Sequence, residues 1–160
     1  MKELKDVKDD RGITHLEAIY EHWRAKGAKQ REDQFSDGTL RLIGLLWSLM
    51  EGESLLLLEE PELSLNSGVV AKIPPLINRL QRIRSRQVIL STHSYDLLSD
   101  KGLDGKEVIM LRPSAEGTDV SLASSKREIR DLMEGGVSVA DAILPRIVPQ
   151  SIGQLDLFKP

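Results

Sequence analysis

The chain has 160 residues, 40% of them hydrophobic, with 22 lysines and arginines against 25 aspartates and glutamates and a formal net charge of −3. This is enough apolar material for one domain with a core, and the near-balanced charge leaves no whole-chain footprint for nucleic acid or an anionic membrane. Cysteine is absent, which excludes disulfides and thiolate metal sites.

The opening MKELKDVKDDRG is charged and lacks an apolar segment, so it does not read as a secretory signal. It is expected to lead in loosely. Apolar runs fall well short of the ~20 residues a membrane helix needs, and a cytoplasmic setting is expected. Ile13, Leu16, Tyr20 and Trp23 fall at helical spacing, with Thr14 and Glu17 placed as a capping box, which predicts a helix. The polar AKGAKQREDQ reads as a loop. Over residues 40–50 apolar side chains surround a helix rather than stripe it, predicting burial on most sides.

Leu55 to Leu58 form a short continuous apolar run, the pattern of a strand covered on both faces in a parallel sheet. Val69, Val70, Ile73, Leu76, Ile77, Leu80 and Ile83 then recur at helical spacing, with Pro74 and Pro75 forcing a kink or restart. QVILST reads as a second buried strand, and strand–helix–strand in this order is a right-handed crossover. EVIMLRP and TDVSLAS, separated by the turn-rich SAEG, predict a hairpin. Helices over 126–133 and 137–144 complete the α/β body, and an extended tail is expected after Pro145. The expected organisation is a lead-in and helix over 1–33, an α/β lobe over 34–144 and a tail over 145–160.

Three short strings carry chemistry. In FSDGTLR, Ser36 caps a helix beginning near Gly38; the free amides there and a residue without a side chain suit an anion. S-D-G also opens ordinary helices. In LLLLEEPE, a buried strand delivers carboxylates to the C-terminal edge of a parallel sheet, where open α/β folds bind ligands. One carboxylate is suited to magnesium and its neighbour to an attacking water, although an isolated E-E pair also occurs as two solvated acids. In ILSTHS, His93 leaves the second strand on the same edge as Glu60, placed to sense a γ-phosphate or simply to be a hydrogen-bonded histidine.

In this order the strings resemble the C-terminal half of an ABC-type ATPase head. More narrowly, they are similar to bacterial ATPases related to the structural-maintenance, RecF and OLD families, often grouped as AAA domains. SDGTLR resembles the ABC signature, LLLLEEPE the Walker B strand with its catalytic glutamate, and His93 the switch histidine; the match runs from about Gln34 to about Arg112. The resemblance implies a partial P-loop NTPase fold, with ATP and Mg2+ as ligands. It implies Glu60 as general base, Glu59 as the magnesium-side carboxylate and His93 as the γ-phosphate sensor. Ser36, Asp37, Gly38 and Thr39 would contact an ATP held mainly by another protomer. Most of the superfamily has aspartate at the position of Glu59, while OLD-like members share the glutamate. Leu65-Asn66-Ser67 stands where relatives read L-H-P.

Walker A needs G-x-x-x-x-G-K-[ST], whose amides cradle phosphates and whose lysine reaches the β- and γ-oxygens. No such string exists; Gly105-Lys106 is followed by Glu107. The chain therefore reads as a fragment of a longer ATPase, as one partner of a second ATPase protomer or chain supplying Walker A, or as a non-catalytic remnant. The implied setting is DNA maintenance, repair or anti-phage defence. The alternative from another class is an adaptor that binds a partner ATPase or the replication sliding clamp and hydrolyses nothing.

The chain ends in SIGQLDLFKP, where Gln154, Leu155, Asp156, Leu157 and Phe158 resemble the peptide that docks on the bacterial sliding clamp. Leucine and phenylalanine anchors with a glutamine at the lip suit a hydrophobic groove, or else pack back onto their own domain. Arg79, Arg82, Arg84 and Arg86 form a basic cluster that fits either DNA phosphates or a solvated helix end.

Overall fold

The computed structural model describes residues 1–21, 28–114 and 116–148. The first of them form a hairpin rather than a loose lead-in and a helix. Strand β1 (Glu3–Lys8) pairs antiparallel with β2 (Thr14–Tyr20), which pairs antiparallel with β3 (Ala28–Arg31). Asp9 sets the turn: its carboxylate accepts from the amides of Arg11 at 2.9 Å and Ile13 at 2.8 Å, and Gly12 takes φ +78°. This is the local chemistry of an Asx turn. Thr14, Ile19 and Tyr20 are strand formers, and the two cross-strand ladders override the helical spacing of Ile13, Leu16 and Tyr20. Trp23 lies outside the described residues. The stretch expected as a loop contains β3 and a single 3-10 turn, Glu32–Gln34.

Helix α1 (Asp37–Met50) is present but buried along one stripe, through Leu45 and Leu49, while Leu40, Trp47 and Met50 are exposed. The crossover follows as β4 (Leu56–Glu59), α2 (Ser67–Val70), α3 (Ile73–Arg84) and β5 (Val88–Ser91). Pro74 and Pro75 sit in the first turn of α3, where no intrahelical donor is lost, so they restart the helix rather than break it. Ser85, at φ +52°, ends it.

Strands β4 and β5 are parallel, in register from Leu56↔Val88 to Glu59↔Ser91. Leu56, Leu58, Val88 and Leu90 face a core with Leu45, Leu49, Val70, Ile73, Ile77 and Leu97. The other face is bare, with Leu57 68% and Ile89 50% exposed, contrary to the expectation of cover on both faces. The apolar run marked a strand correctly, but cover for its second face comes from no described residue.

Helix α4 (Tyr95–Leu98) joins the two halves of the lobe, because Leu97 enters this core and Leu98 enters a second one. The predicted hairpin is β6 (Ile109–Ser114) with β7 (Gly117–Leu122). Helices α5 (Arg127–Glu134) and α6 (Val139–Ile147) complete the second core, through Ala123, Ile129, Val139, Ala140, Ala142 and Ile143. The Tyr95 hydroxyl donates to Asp141 at 3.1 Å, tying α4 to α6, and this bond pushes the phenol above its ordinary value. Pro145 lies inside α6, so the chain stays helical to Ile147 instead of extending from Pro145. The string Gln154 to Phe158 lies outside the described residues.

Candidate active site

Because β4 and β5 run parallel, their C-terminal ends emerge side by side, and the chemistry-bearing residues follow directly. The amide of Glu60 donates to the Ser91 carbonyl at 3.0 Å, extending the ladder by one residue. Glu60 then turns sharply, at φ +41°, a left-handed conformation uncommon for a residue with a side chain. Nδ1 of His93 lies 2.8 Å from Oε1 of Glu60, so the ring N–H donates to the carboxylate. The imidazole is 71% exposed and the carboxylate 34%. Glu59 is exposed and opposite Ser91, on the same side of the strand as Leu57.

A second link between these turns involves residues that the motif reading passed over. Glu62 is buried, and the Thr92 hydroxyl donates to its Oε1. The Ser94 amide donates to the same hydroxyl at 3.0 Å, and Ser94 caps α4 through the Leu97 amide at 3.4 Å. The signal was present in the sequence. A third carboxylate just past a proline, and a threonine beside the histidine, stand at the ends of paired strands.

Ser36 caps α1 as expected. Its Oγ accepts from the Thr39 amide at 3.2 Å and lies 2.9 Å from the Thr39 hydroxyl. Asp37 is exposed in the first turn, favourably placed at the positive end of the helix. At Gly38 the space that a Cβ would take is used by protein: it would meet the Ser64 carbonyl oxygen at 2.4 Å. The helix start is thereby seated against the turn that follows Glu60. Among the described residues, no hydrogen bond joins Ser36–Thr39 to Glu59, Glu60 or His93. Asn66 caps α2, accepting from the Gly68 amide at 2.9 Å.

Arg86 does not belong to the basic cluster. It is buried, and its guanidinium donates to the carbonyls of Ser54 at 2.6 Å and of Ser48 and Glu51 at 2.5 Å. It fastens the end of α1 to the entry of β4. Arg79, Arg82 and Arg84 remain exposed. Upstream of Ser36, His15 places Nδ1 2.6 Å from Glu32 and Nε2 3.4 Å from Asp9. The Glu32 hydrogen bond raises the histidine above its ordinary value, and the same bond lowers Glu32. No cluster of three or more metal-ligating side chains occurs among the described residues, and no described helix is long and apolar enough to cross a membrane.

The architecture, a parallel pair with flanking helices and antiparallel hairpins, is similar to that of SMC ATPases. A solved structure from work on ATP-driven dimerization and DNA-stimulated activation of SMC ATPases matches with a TM-score of 0.57. It covers 83% of this chain and 80% of that one, at 16% sequence identity. At that identity the likeness is one of fold. No curated protein sequence matches the chain. A family model does match, over residues 2–100, and on it the chain belongs to the ATPase-type family described as "AAA domain, putative AbiEii toxin, Type IV TA system".

Proposed function

We propose that this chain supplies the signature, magnesium and general-base side of an ATP site whose phosphate loop comes from another segment or polypeptide. The observation that carries this reading is the Glu60–His93 pair, formed across the C-terminal ends of adjacent parallel strands. Phosphoryl transfer is catalysed mostly by positioning and charge stabilisation, so the roles divide by place. Glu60 takes the proton of the attacking water as its oxygen bonds to γ-phosphorus and the bond from γ-phosphorus to the bridging oxygen breaks, ADP leaving. His93, which donates to Glu60 here, donates to a γ-phosphate oxygen when one is present. Ser36, Asp37, Gly38 and Thr39 offer a capped helix start to the phosphates of a neighbouring protomer.

Magnesium fits the site as one carboxylate plus phosphate oxygens, its usual arrangement in nucleotide sites. Glu59, exposed at the strand end, is the residue that would hold it, and the bound ion would neutralise charge on the β- and γ-phosphates. Parallel sheets are normally covered on both faces. The bare face with Leu57, Ile89 and Glu59 is therefore assigned to the lobe bearing the phosphate loop. ATP-driven dimerization, described for the SMC ATPases of matching fold, supports an assembly of this kind. A role in DNA maintenance, repair or defence, with Gln154-Leu155-Asp156-Leu157-Phe158 docking a sliding clamp, rests on the sequence resemblance.

Equilibrium binding of magnesium-ATP to the 160-residue chain tests the proposal. No detectable binding is expected alone, and saturable binding is expected once the phosphate-loop segment is supplied. Tight binding to the chain alone would overturn it, and indifference of the reconstituted assembly to Glu60→Gln would favour an adaptor.

A further inference from the structure

We infer that Glu62 is a positioning residue: acting through the Thr92 hydroxyl, it locks the two strand-end turns so that His93 meets Glu60. Its catalytic meaning rests on the ATPase reading above; the positional claim does not.

The argument begins with what the exposed pair lacks. His93 is largely in solvent, and an exposed side-chain pair of this kind contributes too little to hold two side chains in one geometry. Glu60 also sits in a left-handed conformation that surrounding contacts must maintain. The position of both residues must therefore be imposed by their neighbours.

Glu62 and Thr92 are those neighbours. Successive turns, with the Leu63 amide donating to the Glu60 carbonyl at 3.2 Å and the Leu65 amide to that of Glu62 at 3.0 Å, carry the Glu62 side chain inward. There it is only 7% exposed and receives the Thr92 hydroxyl. That hydroxyl is used twice, donating to Glu62 and accepting from Ser94, so its rotamer is fixed and the backbone at His93 is fixed with it. Glu62 is two residues after Glu60, and Thr92 is one before His93.

Stability gives a poor account of this carboxylate. Its second oxygen has no partner among the described residues, and burying a carboxylate on so little compensation is unfavourable. What the arrangement provides is a fixed register between two catalytic turns.

The test uses the full chain with 15N-labelled histidine. Thr92→Val removes the hydroxyl while keeping a β-branched shape; it is expected to shift the His93 ring signals to those produced by Glu60→Ala, with His15 signals unchanged. Thr92→Ser and Glu62→Gln, which keep a hydroxyl and an acceptor, should retain the native pattern. His93 signals unmoved by Thr92→Val would overturn the inference. In an active assembly, Thr92→Val should lower kcat by about 10- to 100-fold with little change in KM, since misplacement of this kind acts on the chemical step. An unchanged kcat would overturn its catalytic meaning. If the native assembly turns over no ATP, the ATPase reading fails, and the ring signals still decide the positional claim.

Discussion

A β-carbon on Gly38 would lie 2.4 Å from the carbonyl oxygen of Ser64, itself at φ +64°. Helix α1 is thus seated on the turn that follows Glu60, and the glycine is required by that contact before any ligand is considered. Gly38→Ala forces backbone apart and should cost about 1–3 kcal/mol, the range for overpacking. Gly44, mid-helix in α1, has nothing within 4 Å of its would-be Cβ. Gly44→Ala should therefore stabilise by about 0.5–1 kcal/mol. Urea midpoints at unchanged slope check both.

Arg86 satisfies three carbonyls that close the end of α1 and the approach to β4. Arg86→Ala leaves those acceptors without their charged donor and should cost about 3 kcal/mol. Arg82→Ala and Arg84→Ala, at exposed positions, should stay within about 0.5 kcal/mol of the native chain. Equal losses across the three arginines would contradict the assignment.

His15 makes stability depend on pH with a sign that can be worked out. Its folded value is raised from 6.5, chiefly by the Glu32 hydrogen bond, with desolvation the main opposing effect. Its contribution is therefore complete below 6.5 and lost as pH rises through the raised value. Asp9 is lowered from 3.8, chiefly by the Ile13 amide, and Glu32 from 4.5, chiefly by His15. Their contributions are present above those values and lost as pH falls through the lowered ones. The cluster stabilises most between 4.5 and 6.5. Urea midpoints measured from about pH 5 to about pH 8 should fall more in the native chain than in His15→Gln.

Glu60→Gln in a complete assembly should leave magnesium-ATP bound and reduce turnover by at least about 100-fold, the lower range for loss of a general base. Nucleotide retention and phosphate release, measured together, separate this from a variant that fails to bind.

Leu57 and Ile89 are exposed in the chain alone. Leu57→Lys should change its own stability by no more than about 0.5 kcal/mol. The same substitution should abolish association with the proposed phosphate-loop lobe, measured by sedimentation. Association that survives the lysine would place that lobe elsewhere.

Much of this molecule was legible without coordinates. The leucine run 55–58, the paired prolines at the head of α3, the cap at Ser36 and the hairpin after residue 108 are local signals, each acting through a few neighbouring residues. The string order pointed to the family for the same reason. The amino-terminal hairpin was not legible by spacing, because Leu16 and Tyr20, which share a face of β2, fit a helix period as well as a strand. The turn chemistry of Asp9 and Gly12 carried the better signal.

Sequence by itself determined strands β4 to β7, the cap at the start of α1 and which residue types stand at the ends of β4 and β5. Only tertiary structure decided which way those residues face. Arg82, Arg84 and Arg86 are alike in the chain, yet one finds carbonyls more than thirty residues upstream while the others meet solvent. Glu59, Glu60 and Glu62 are equally alike, yet one lies exposed on the bare face, one meets His93 and one is buried on Thr92. The physical reason is the same in both cases. A side chain's charge is written locally, but the donors and acceptors that satisfy it are brought by distant elements, through a parallel pairing that no short stretch of chain contains.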